Sequence, residues 1–527
     1  MNQPGTDGHC DATHVRMCPV CVNRAYPTGT TLGDMRDVSV QTATIGVGPG
    51  GARAAESLSD SWTRGASRNP YAAGLARLLA SYRAIPVDQR VRLAKKTSNL
   101  FRTRARSRAP GLDTGGLTGV LAVDPDARTA DVGGMCTYED LVAATLPYGL
   151  APLIVPQLKT ITVGGAATGG GIESAAFRNG VVYDDIVVMD VLTGAGEVVT
   201  AAPEGPHADL YYGFANSYGS LGYATRLRVR LEPVAPFVAL RHLRFHDVTE
   251  LQDAIGRICE RRAHDGEHVD YLDGVVFTAT EMYLTLGRGT HDPGPTSDYT
   301  GQQVFYRSIQ QRTTDRLTIH DYLWRWDTDW FWCSRAFGAQ QPLIRRLWPR
   351  PLRRSSVYWK LVALDRRFDV ADRIEKLNGR PPLERVVQDI EVPLAGTADF
   401  LTWFLTEVPI EPIWLCPLRI PRRRDADPAS TAPTWPLHPF EPERTYVNIG
   451  FWSAVPQAPG GPPGATNRRI EATVSALGGH KSLYSDAFYS RAEFAAKYGG
   501  ATYAQLKSTY DPTHRLLDLY DKAVRRQ

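Results

Sequence analysis

The sequence predicts an α+β fold of at least two domains. A chain of 527 residues is too long for one hydrophobic core. Between residues 66 and 235, alternating strand-like runs and single helices follow one another in the order strand, helix, strand, which is typical of an α+β domain. Beyond Pro233 helical and strand patterns alternate up to about residue 480, and tryptophans cluster there. These two observations predict separate domains at 66–235 and 236–480.

The elements of the first predicted domain follow from local signals, taken in chain order. Leu75, Leu78, Leu79 and Tyr82 recur at helical spacing and indicate one buried helix face. The later signals are a short strand at Val91–Ala94, a hairpin turning at Asp124–Ala127, a helix capped by Thr137 and ending at Gly149, and a hairpin turning at Gly194–Gly196.

The second domain is interrupted by proline-rich breaks at 421–442 and 456–463, which predict long loops. Residues 481–527 follow as a helical segment. Its predicted helices are Ser490–Tyr498, Tyr503–Tyr510 and Arg515–Arg525.

The composition is that of an ordinary globular protein, with 43% hydrophobic and 22% charged residues and a net charge of +4. This charge gives no reason to expect a nucleic-acid partner. The sequence contains no apolar run long enough for a transmembrane helix and no secretory signal pattern, so a cytoplasmic location is expected. Seven mostly isolated cysteines argue against a disulfide framework.

Residues 1–65 are rich in Gly, Thr, Ser and Asp without sustained periodicity, which predicts a disordered extension. Two motifs lie in it. A CxxC with nearby histidines could hold zinc, but its spacing matches no common finger, so we predict no metal; its residues are His9, Cys10, His14, Cys18 and Cys21. Ile45–Ala55 imitates a dinucleotide-binding turn but lacks the following strand with an acidic end.

Six glycines fall between Thr162 and Gly180, a density that no ordinary helix or strand accepts. Glycine-rich turns expose backbone N–H groups to anions and let a planar group approach the backbone closely. The polar turn Thr97–Asn99 precedes this stretch and the turn Gly219–Gly222 follows it. Three such elements together predict a phosphate-bearing planar cofactor, although each turn alone could serve only the fold.

These motifs resemble a known family, the FAD-linked oxidoreductases of the vanillyl-alcohol-oxidase or p-cresol-methylhydroxylase (PCMH) flavin fold. The resemblance extends from residue 90 to Lys522 for its Δ24-sterol reductase branch. It is carried by "TVGG…GGGIES" (Thr162–Ser174), "PIWLCPLRIP" (Pro412–Pro421) and "LYSDAFYSRAEF" (Leu483–Phe494). Bacterial reductases of 10-methylene fatty acyl chains are the closest match within this branch. The resemblance implies a two-subdomain PCMH-type FAD-binding domain, an α/β substrate or cap domain, and a C-terminal segment that closes the active site.

The resemblance also implies which residues hold FAD. They are Lys96, Thr97, Ser98 and Asn99 at the pyrophosphate; Gly164, Gly165, Gly169, Gly170, Gly171, Ile172, Glu173 and Ser174 along the diphosphate, ribityl chain and ring; Gly180, Asp185, Ile186 and Val187 near the adenine; and Gly219, Ser220 and Gly222 closing the pocket. Covalent members use a histidine or cysteine near the first loop. Neither residue occurs between Val91 and Arg108, so non-covalent FAD is expected.

Reduction of a carbon–carbon double bond needs a hydride from the flavin and a proton from a protein acid. The candidate acids are Glu173, Glu391, Tyr484, Asp486 and Tyr489, and Lys360 and Lys481 could stabilise negative charge on reduced flavin. For each of these residues an ion pair, a helix cap or a core position remains the alternative.

The function implied is reduction of a lipid double bond, in a methylene-fatty acyl chain or a Δ24 sterol, with NADPH or NADH as transient reductant. A lipid methyltransferase is then a functional partner. The alternatives are an FAD-linked alcohol dehydrogenase or oxidase, and a lipid-binding protein without turnover.

Two further segments bear on the lipid. The aromatic residues of Tyr322–Trp332 suit either a lipid channel or a core. Pro342–Arg354 mixes arginines with leucines and suits either the anionic inner face of a membrane or a solvated surface.

Overall fold

The structure is a computed structural model that describes residues 70–95, 101–103, 109–368, 373, 379, 381–408, 410–423, 427–457 and 460–526. The predicted N-terminal extension, its Cys/His cluster, the Ile45–Ala55 motif and the Lys96–Asn99 turn lie outside these residues.

The first part of the described chain forms an antiparallel sheet whose central strand is long and pairs on both sides. The strand order is β3-β4-β8-β6-β7, and β5 also pairs with β8. Its strands are β3 (Val120–Asp124), β4 (Thr129–Gly133), β5 (Leu150–Pro152), β6 (Ile186–Thr193), β7 (Val198–Ala201) and β8 (Gly222–Pro233). A parallel pair precedes it, β1 (Arg92–Leu93) and β2 (Gly111–Leu112).

Helices connect and cover these strands. They are α1 (Pro70–Arg83), α2 (Tyr138–Thr145), α3 (Val163–Gly169), α4 (Ala176–Asn179) and α5 (Ala208–Phe214). The hydroxyl of Thr137 accepts a hydrogen bond from the N–H of Asp140, which confirms the predicted cap of α2. In α1, Leu78 and Tyr82 are buried whereas Leu75 and Leu79 are half-buried, so the predicted helix face is broader than the buried stripe. Both predicted hairpins, β3–β4 and β6–β7, are present.

The second part of the chain forms a larger antiparallel sheet with the order β14-β9-β13-β12-β16-β17-β15-β18. Its strands are β9 (Phe237–Phe245), β12 (Tyr271–Thr278), β13 (Glu281–Thr290), β14 (Thr314–Thr318), β15 (Leu383–Pro393), β16 (Ile413–Arg419), β17 (Thr445–Pro456) and β18 (His480–Lys481). A small hairpin of β10 (Ala263–His264) and β11 (Glu267–His268) lies beside it.

The two faces of this large sheet have different neighbours, because successive side chains of a strand point to opposite faces. On one face, Leu415 and Ile449 belong to a core that includes α6 (Val248–Arg261), α11 (Thr397–Glu407) and α12 (Ala465–Ala476). On the other face, Trp414 and Cys416 pack in one core with residues of the first sheet. One face of the large sheet therefore packs against the first domain, and the other face packs against helices α6, α11 and α12.

The remaining helices lie in the connections and at the C-terminal end. They are α7 (Phe305–Ser308), α8 (Ile319–Leu323), α9 (Pro342–Leu347), α10 (Ser355–Phe368), α13 (Arg491–Lys497), α14 (Gly500–Tyr510) and α15 (Leu519–Ala523). Among the described residues, none of the helices combines the length and apolarity needed to cross a membrane.

The C-terminal segment is tied to the Gly219 turn by two lysines. The ammonium group of Lys522 donates to the carbonyl oxygens of Tyr218 and Gly219, at 3.0 and 2.8 Å. The ammonium group of Lys507 donates to the carbonyl of Ser220. The predicted α+β class is confirmed, and the change from one sheet to the other falls between Pro233 and Phe237. The finer domain boundaries stay a prediction.

Candidate active site

A cavity of about 810 Å³ lies where the large sheet covers the first domain. Ligand sites typically enclose roughly 300–1,000 Å³. One side of its lining comes from the Gly164–Ile172 segment and Gly219, and the other from strands β15, β16 and β17 and the Trp330–Phe331 loop. We call these sides the glycine wall and the side-chain wall.

The glycine wall begins at helix α3. The hydroxyl of Thr162 accepts from the N–H of Gly165, which fixes the first turn of the helix. The helix is followed by Gly170, which has φ +83°; a Cβ there would clash with nothing, and its nearest neighbours would be Tyr183 and His438 at 3.8 and 3.9 Å. Glycine is favoured at such a backbone angle, and here it also leaves room on the cavity side.

Other predicted glycines serve packing instead of the cavity. A Cβ on Gly164 would lie 2.6 Å from the carbonyl oxygen of Gly134, and one on Gly222 would lie 2.8 Å from that of Leu192. A Cβ on Gly180 would overlap the Asp184 carboxylate. Close packing therefore explains part of the glycine pattern. Gly164 has two roles, because it packs against the Gly134 backbone and also lines the cavity.

The predicted cofactor residues divide accordingly. Those that line the cavity are Gly164, Gly165, Gly169, Gly170, Gly171, Ile172 and Gly219. Those that the structure places away from its lining are Glu173, Ser174, Gly180, Asp185, Ile186, Val187, Ser220 and Gly222. Asp185 instead accepts a hydrogen bond from the N–H of Ile154, and the Ser220 hydroxyl donates to the carbonyl of Ser217. Lys95 and Phe101, which flank the Lys96–Asn99 turn, both line the cavity.

Cations line the cavity beside its glycines, and sequence reasoning missed them. The Lys95 ammonium lies 3.8 Å from the position of a Cβ on Gly165, and Lys522 holds Gly219. The guanidinium of Arg102 lies 4.7 Å from the centre of the Tyr218 ring. Arg102 and Lys522 both belong to the lining. Positive charge beside open backbone suits a diphosphate.

Three lining residues with large side chains have left-handed backbone angles, namely Tyr218 (φ 48°), Trp330 (φ 47°) and Phe331 (φ 59°). Such conformations cost of order 1–3 kcal/mol each and persist only where the surroundings hold them. The Phe331 ring packs between Trp326 and Trp452, with centroids 4.9 and 4.4 Å away. The Tyr322–Trp332 segment is thus divided, because Trp330 and Phe331 line the cavity whereas Tyr322 and Trp326 are in the core.

The side-chain wall contains one carboxyl group that the sequence analysis did not select, Asp389. Its Oδ1 is buried without a hydrogen-bond partner among the described residues, and Asp389 lines the cavity. Burial raises the pKa of Asp389 to about 7, against the lowering effects of a hydrogen bond with Tyr484 and the charge of Lys481. The Tyr484 hydroxyl also accepts from the indole N–H of Trp452 at 2.8 Å.

The predicted acids lie in different places. Tyr484 lines the cavity, whereas Glu173, Glu391, Asp486 and Tyr489 are outside its described lining. The Asp486 carboxylate accepts from the N–H and hydroxyl of Thr103, both at 2.8 Å.

Glu173 accepts from the N–H of Ala175 and the hydroxyl of Ser174, both at 2.8 Å. Burial raises its pKa to about 7, and these two hydrogen bonds oppose the rise. This carboxyl group therefore resembles that of Asp389 in its raised pKa but not in position.

The two candidate lysines are also apart from the cavity lining. Lys360 is exposed on α10. Lys481 is buried, and its ammonium contacts a Glu471 carboxylate oxygen at 3.2 Å. Burial lowers the pKa of Lys481 in spite of that partner.

The alternation of side chains along β15 could have pointed to Asp389. It precedes the candidate Glu391 by two residues in the same strand, so both side chains lie on one face of the sheet. Only the position along the strand decides which of them reaches the cavity, and a single strand's sequence does not contain that information.

The lining fits FAD. Gly170 leaves room on the cavity side, Lys95, Arg102 and Lys522 supply positive charge, and aromatic rings stand opposite. The protein family described as "FAD binding domain" matches residues 87–202. This match covers the glycine wall up to Ile172.

Curated relatives match most of the chain. The Delta(24)-sterol reductase of Rattus norvegicus is 24% identical over 424 residues, which cover 77% of this chain and 76% of that protein. The enzyme of the same name from Arabidopsis thaliana is 25% identical over 332 residues, 60% of this chain and 57% of that protein. Cytokinin dehydrogenase 10 of Oryza sativa subsp. japonica is 32% identical over 168 residues, 32% of this chain and 30% of that protein.

The chain is an FAD-dependent oxidoreductase homologous to the Δ24-sterol reductases. This confirms the family resemblance and the PCMH-type flavin fold. In this flavoprotein the glycine wall belongs to the FAD binding domain. The side-chain wall comes from the second sheet.

Proposed function

We propose that this flavoprotein reduces a carbon–carbon double bond in a lipid, either a methylene-fatty acyl chain or a Δ24 sterol. The observation that carries the proposal is the meeting of two unlike walls at one cavity. Gly170 leaves the glycine wall open to a flat group, and Asp389 and Tyr484 face the same space from the side-chain wall. The homology to Δ24-sterol reductases supports a lipid as substrate.

FAD, when bound and reduced, supplies a hydride for one carbon of the double bond. The chain has to deliver a proton to the other carbon and keep water away. We assign the proton to the carboxyl group of Asp389, which lines the cavity. Tyr484 lines the cavity together with that carboxyl and is itself fixed by the indole N–H of Trp452.

The aromatic part of the side-chain wall is suited to an aliphatic chain. Phe101 and Trp330 stack with ring centroids 5.5 Å apart, and Trp414 and Trp452 complete this surface. Burial of each CH₂ group against such a surface contributes about 0.8 kcal/mol. These rings also exclude water from the double bond, which strengthens the interaction of a developing positive charge with Asp389.

We propose NADPH, or NADH in its place, as the reductant that recharges the flavin between turnovers. A lipid methyltransferase that makes methylene chains is the proposed source of the fatty acyl substrate. Both follow from the resemblance to the 10-methylene fatty acyl reductases.

We also propose contact with an anionic membrane surface through α9 and the residues after it. Leu343 and Leu347 are 77% and 82% exposed, and Arg346 and Arg350 are exposed beside them. Arg345 and Arg353 of the same segment are buried and do not take part. Exposed leucines next to arginines are typical of interfacial helices.

An anaerobic single-turnover assay tests the reaction. Protein with bound, NADPH-reduced flavin is mixed with a 10-methylene fatty acyl lipid or a Δ24 sterol. We expect flavin reoxidation and an equal amount of reduced lipid by mass spectrometry. Unchanged lipid with reduced flavin would contradict the proposal, and rapid peroxide formation with an alcohol would favour an alcohol oxidase.

A vesicle assay tests the membrane surface. We expect the wild-type protein to sediment with vesicles that contain anionic lipid, and the L343E/L347E double variant to remain in the supernatant. Equal sedimentation of the two proteins would exclude this surface. A flavin spectrum identical to that of the wild-type protein serves as the control for folding.

A further inference from the structure

Next to the side-chain wall lies a cluster of three ionisable side chains to which the proposed hydride and proton transfer assigns no role. It consists of Glu391, His438 and His480, each with one potential ligand atom, and these atoms all lie within 4.8 Å of one another. All three residues are buried. His438 also lines the cavity, so the cluster stands directly beside the reaction space.

Each of these three side chains has a buried polar atom without a hydrogen-bond partner among the described residues. The atoms are Glu391 Oε2, His438 Nε2 and His480 Nε2. An unsatisfied buried polar group costs about 1–3 kcal/mol, more if it is charged. Three such atoms that face one another indicate a missing common partner.

Strand pairing explains why they meet. Glu391 in β15 is the register partner of His480 in β18 on one side and of Asn448 in β17 on the other. Both side-chain polar atoms of Asn448 are also buried without partners. His438 comes from the loop before β17, and its ring contacts that of His480 with centroids 5.2 Å apart.

The opposite atoms of two of these side chains are held by neighbours. The Ser482 hydroxyl donates to Glu391 Oε1 at 2.6 Å. The Tyr183 hydroxyl forms a short hydrogen bond with His438 Nδ1. Fixed outer atoms aim the free atoms inward, as outer partners do at metal sites.

We propose that Glu391, His438 and His480 bind a divalent transition-metal ion of the zinc class. Two imidazole nitrogens and one carboxylate oxygen are a ligand set that such ions prefer. Metal–ligand bonds of about 2.0–2.2 Å need ligand atoms roughly 3–3.5 Å apart. The His480 Nε2 to Glu391 Oε2 distance of 3.6 Å is already near that value.

The ion has a positioning role. It fixes the His438 ring beside Gly170 and joins the edge strand β18 to β15, and it does not take part in hydride or proton transfer. The proposal is independent of the lipid substrate, because it uses none of the residues that we assign to the lipid or to proton transfer. Its test therefore uses metal binding and stability as readouts.

The first experiment measures metal content in the purified flavin-loaded protein. We expect about one zinc per chain after addition of Zn²⁺ and dialysis, and a large loss in E391Q and H480Q, because each variant removes one of three ligands. The matched control is H242Q, since His242 is also buried with an unpartnered Nε2 but lies outside the cluster. H242Q should keep the wild-type zinc content.

The second experiment does not depend on the folding of any variant. Metal-depleted wild-type protein is titrated with Co²⁺, and visible absorption bands of nitrogen- and oxygen-ligated cobalt should appear and saturate at one ion per chain. Zn²⁺ should abolish these bands and raise the melting temperature. Zinc well below stoichiometry in wild-type protein, with no cobalt bands, would overturn the proposal and assign the cluster to bound water.

Discussion

The two walls of the cavity are built on opposite principles. The glycine wall offers backbone and empty space, with Gly165 and Gly170 facing the cavity. The side-chain wall offers groups on three neighbouring strands, with Asp389, Trp414 and Trp452 in β15, β16 and β17. A cofactor shared by many enzymes needs the first kind of wall, and the choice of substrate and proton donor needs the second.

This difference also explains what each wall tolerates. A glycine with positive φ is fixed by its backbone angle, so any side chain there is both strained and in the way. A side chain on a strand can be exchanged without moving the backbone, and its loss removes only its own chemistry. Substitutions in the glycine wall should therefore impair flavin binding, whereas substitutions in the side-chain wall should impair lipid reduction and leave the flavin bound.

The largest effect is expected for Gly170→Leu, which should abolish flavin binding. Gly170 combines φ +83° with ψ 168°, a conformation that essentially only glycine adopts, and the branched side chain would fill the space left for the cofactor. Flavin absorbance per chain measures the outcome. Gly205→Leu is the matched control, because Gly205 has φ +104° but lies in an exposed turn with nothing within 4 Å of a Cβ. A G170L protein with wild-type flavin content would contradict the assignment of this wall.

Asp389→Asn should have the next largest effect and should leave the flavin in place. Loss of a general acid slows proton transfer by roughly 10²–10⁴-fold. We expect the reduction of flavin by NADPH to remain at the wild-type rate, while reoxidation by lipid slows. Stopped-flow absorbance separates the two steps. A D389N protein that reduces lipid at the wild-type rate would remove Asp389 and leave Tyr484 as the acid.

The sequence predicted the glycine wall far better than the side-chain wall, because the residues of the glycine wall are close together in the chain. Gly164–Ile172 is one continuous segment, so its density of glycines is visible without a fold. Asp389, His438 and Tyr484 are separated by about 50 residues each along the chain and meet only through strand pairing and loops. Local signals such as the Thr137 cap and the hairpins were predictable because neighbouring residues determine them.

Within the glycine pattern, sequence alone could not separate two causes. Gly222 is small because it packs against the backbone of β6, whereas Gly170 is small because it faces the cavity. Both look alike in a sequence. The carboxyl groups pose the same problem, since Glu173 and Glu391 are buried elsewhere and only Asp389 of the three lines the cavity.

Gly450→Ala probes a place where the side-chain wall itself depends on a glycine. A Cβ on Gly450 would overlap the Asp389 carboxyl and lie 2.8 Å from the Trp452 ring. We expect lipid reduction to fall by about tenfold, since displacement of a catalytic group is less severe than its removal. Gly256→Ala on α6 is the control, because only Leu394 lies near its Cβ, at 3.1 Å. The G450A/D389N double variant decides the cause: a further loss as large as that of G450A alone would show that Gly450 does not act through Asp389.

The smallest effect is expected for Glu173→Gln, and it concerns stability instead of catalysis. Burial raises the pKa of Glu173 from 4.5 to about 7, so between these pH values the folded protein holds a proton that the unfolded chain has released. The stability contributed by this protonated carboxyl is fully present below pH 4.5 and is lost as the pH rises through about 7. Glutamine does not titrate; its carbonyl oxygen can accept from the N–H of Ala175, and its amide N–H can donate to the Ser174 hydroxyl as a protonated carboxyl would. The stability of E173Q relative to wild type should therefore increase from pH 5 to pH 8, by up to about 3 kcal/mol, with lipid reduction retained. Chemical denaturation at several pH values measures this difference, and a constant difference together with slow lipid reduction would return Glu173 to the list of candidate acids.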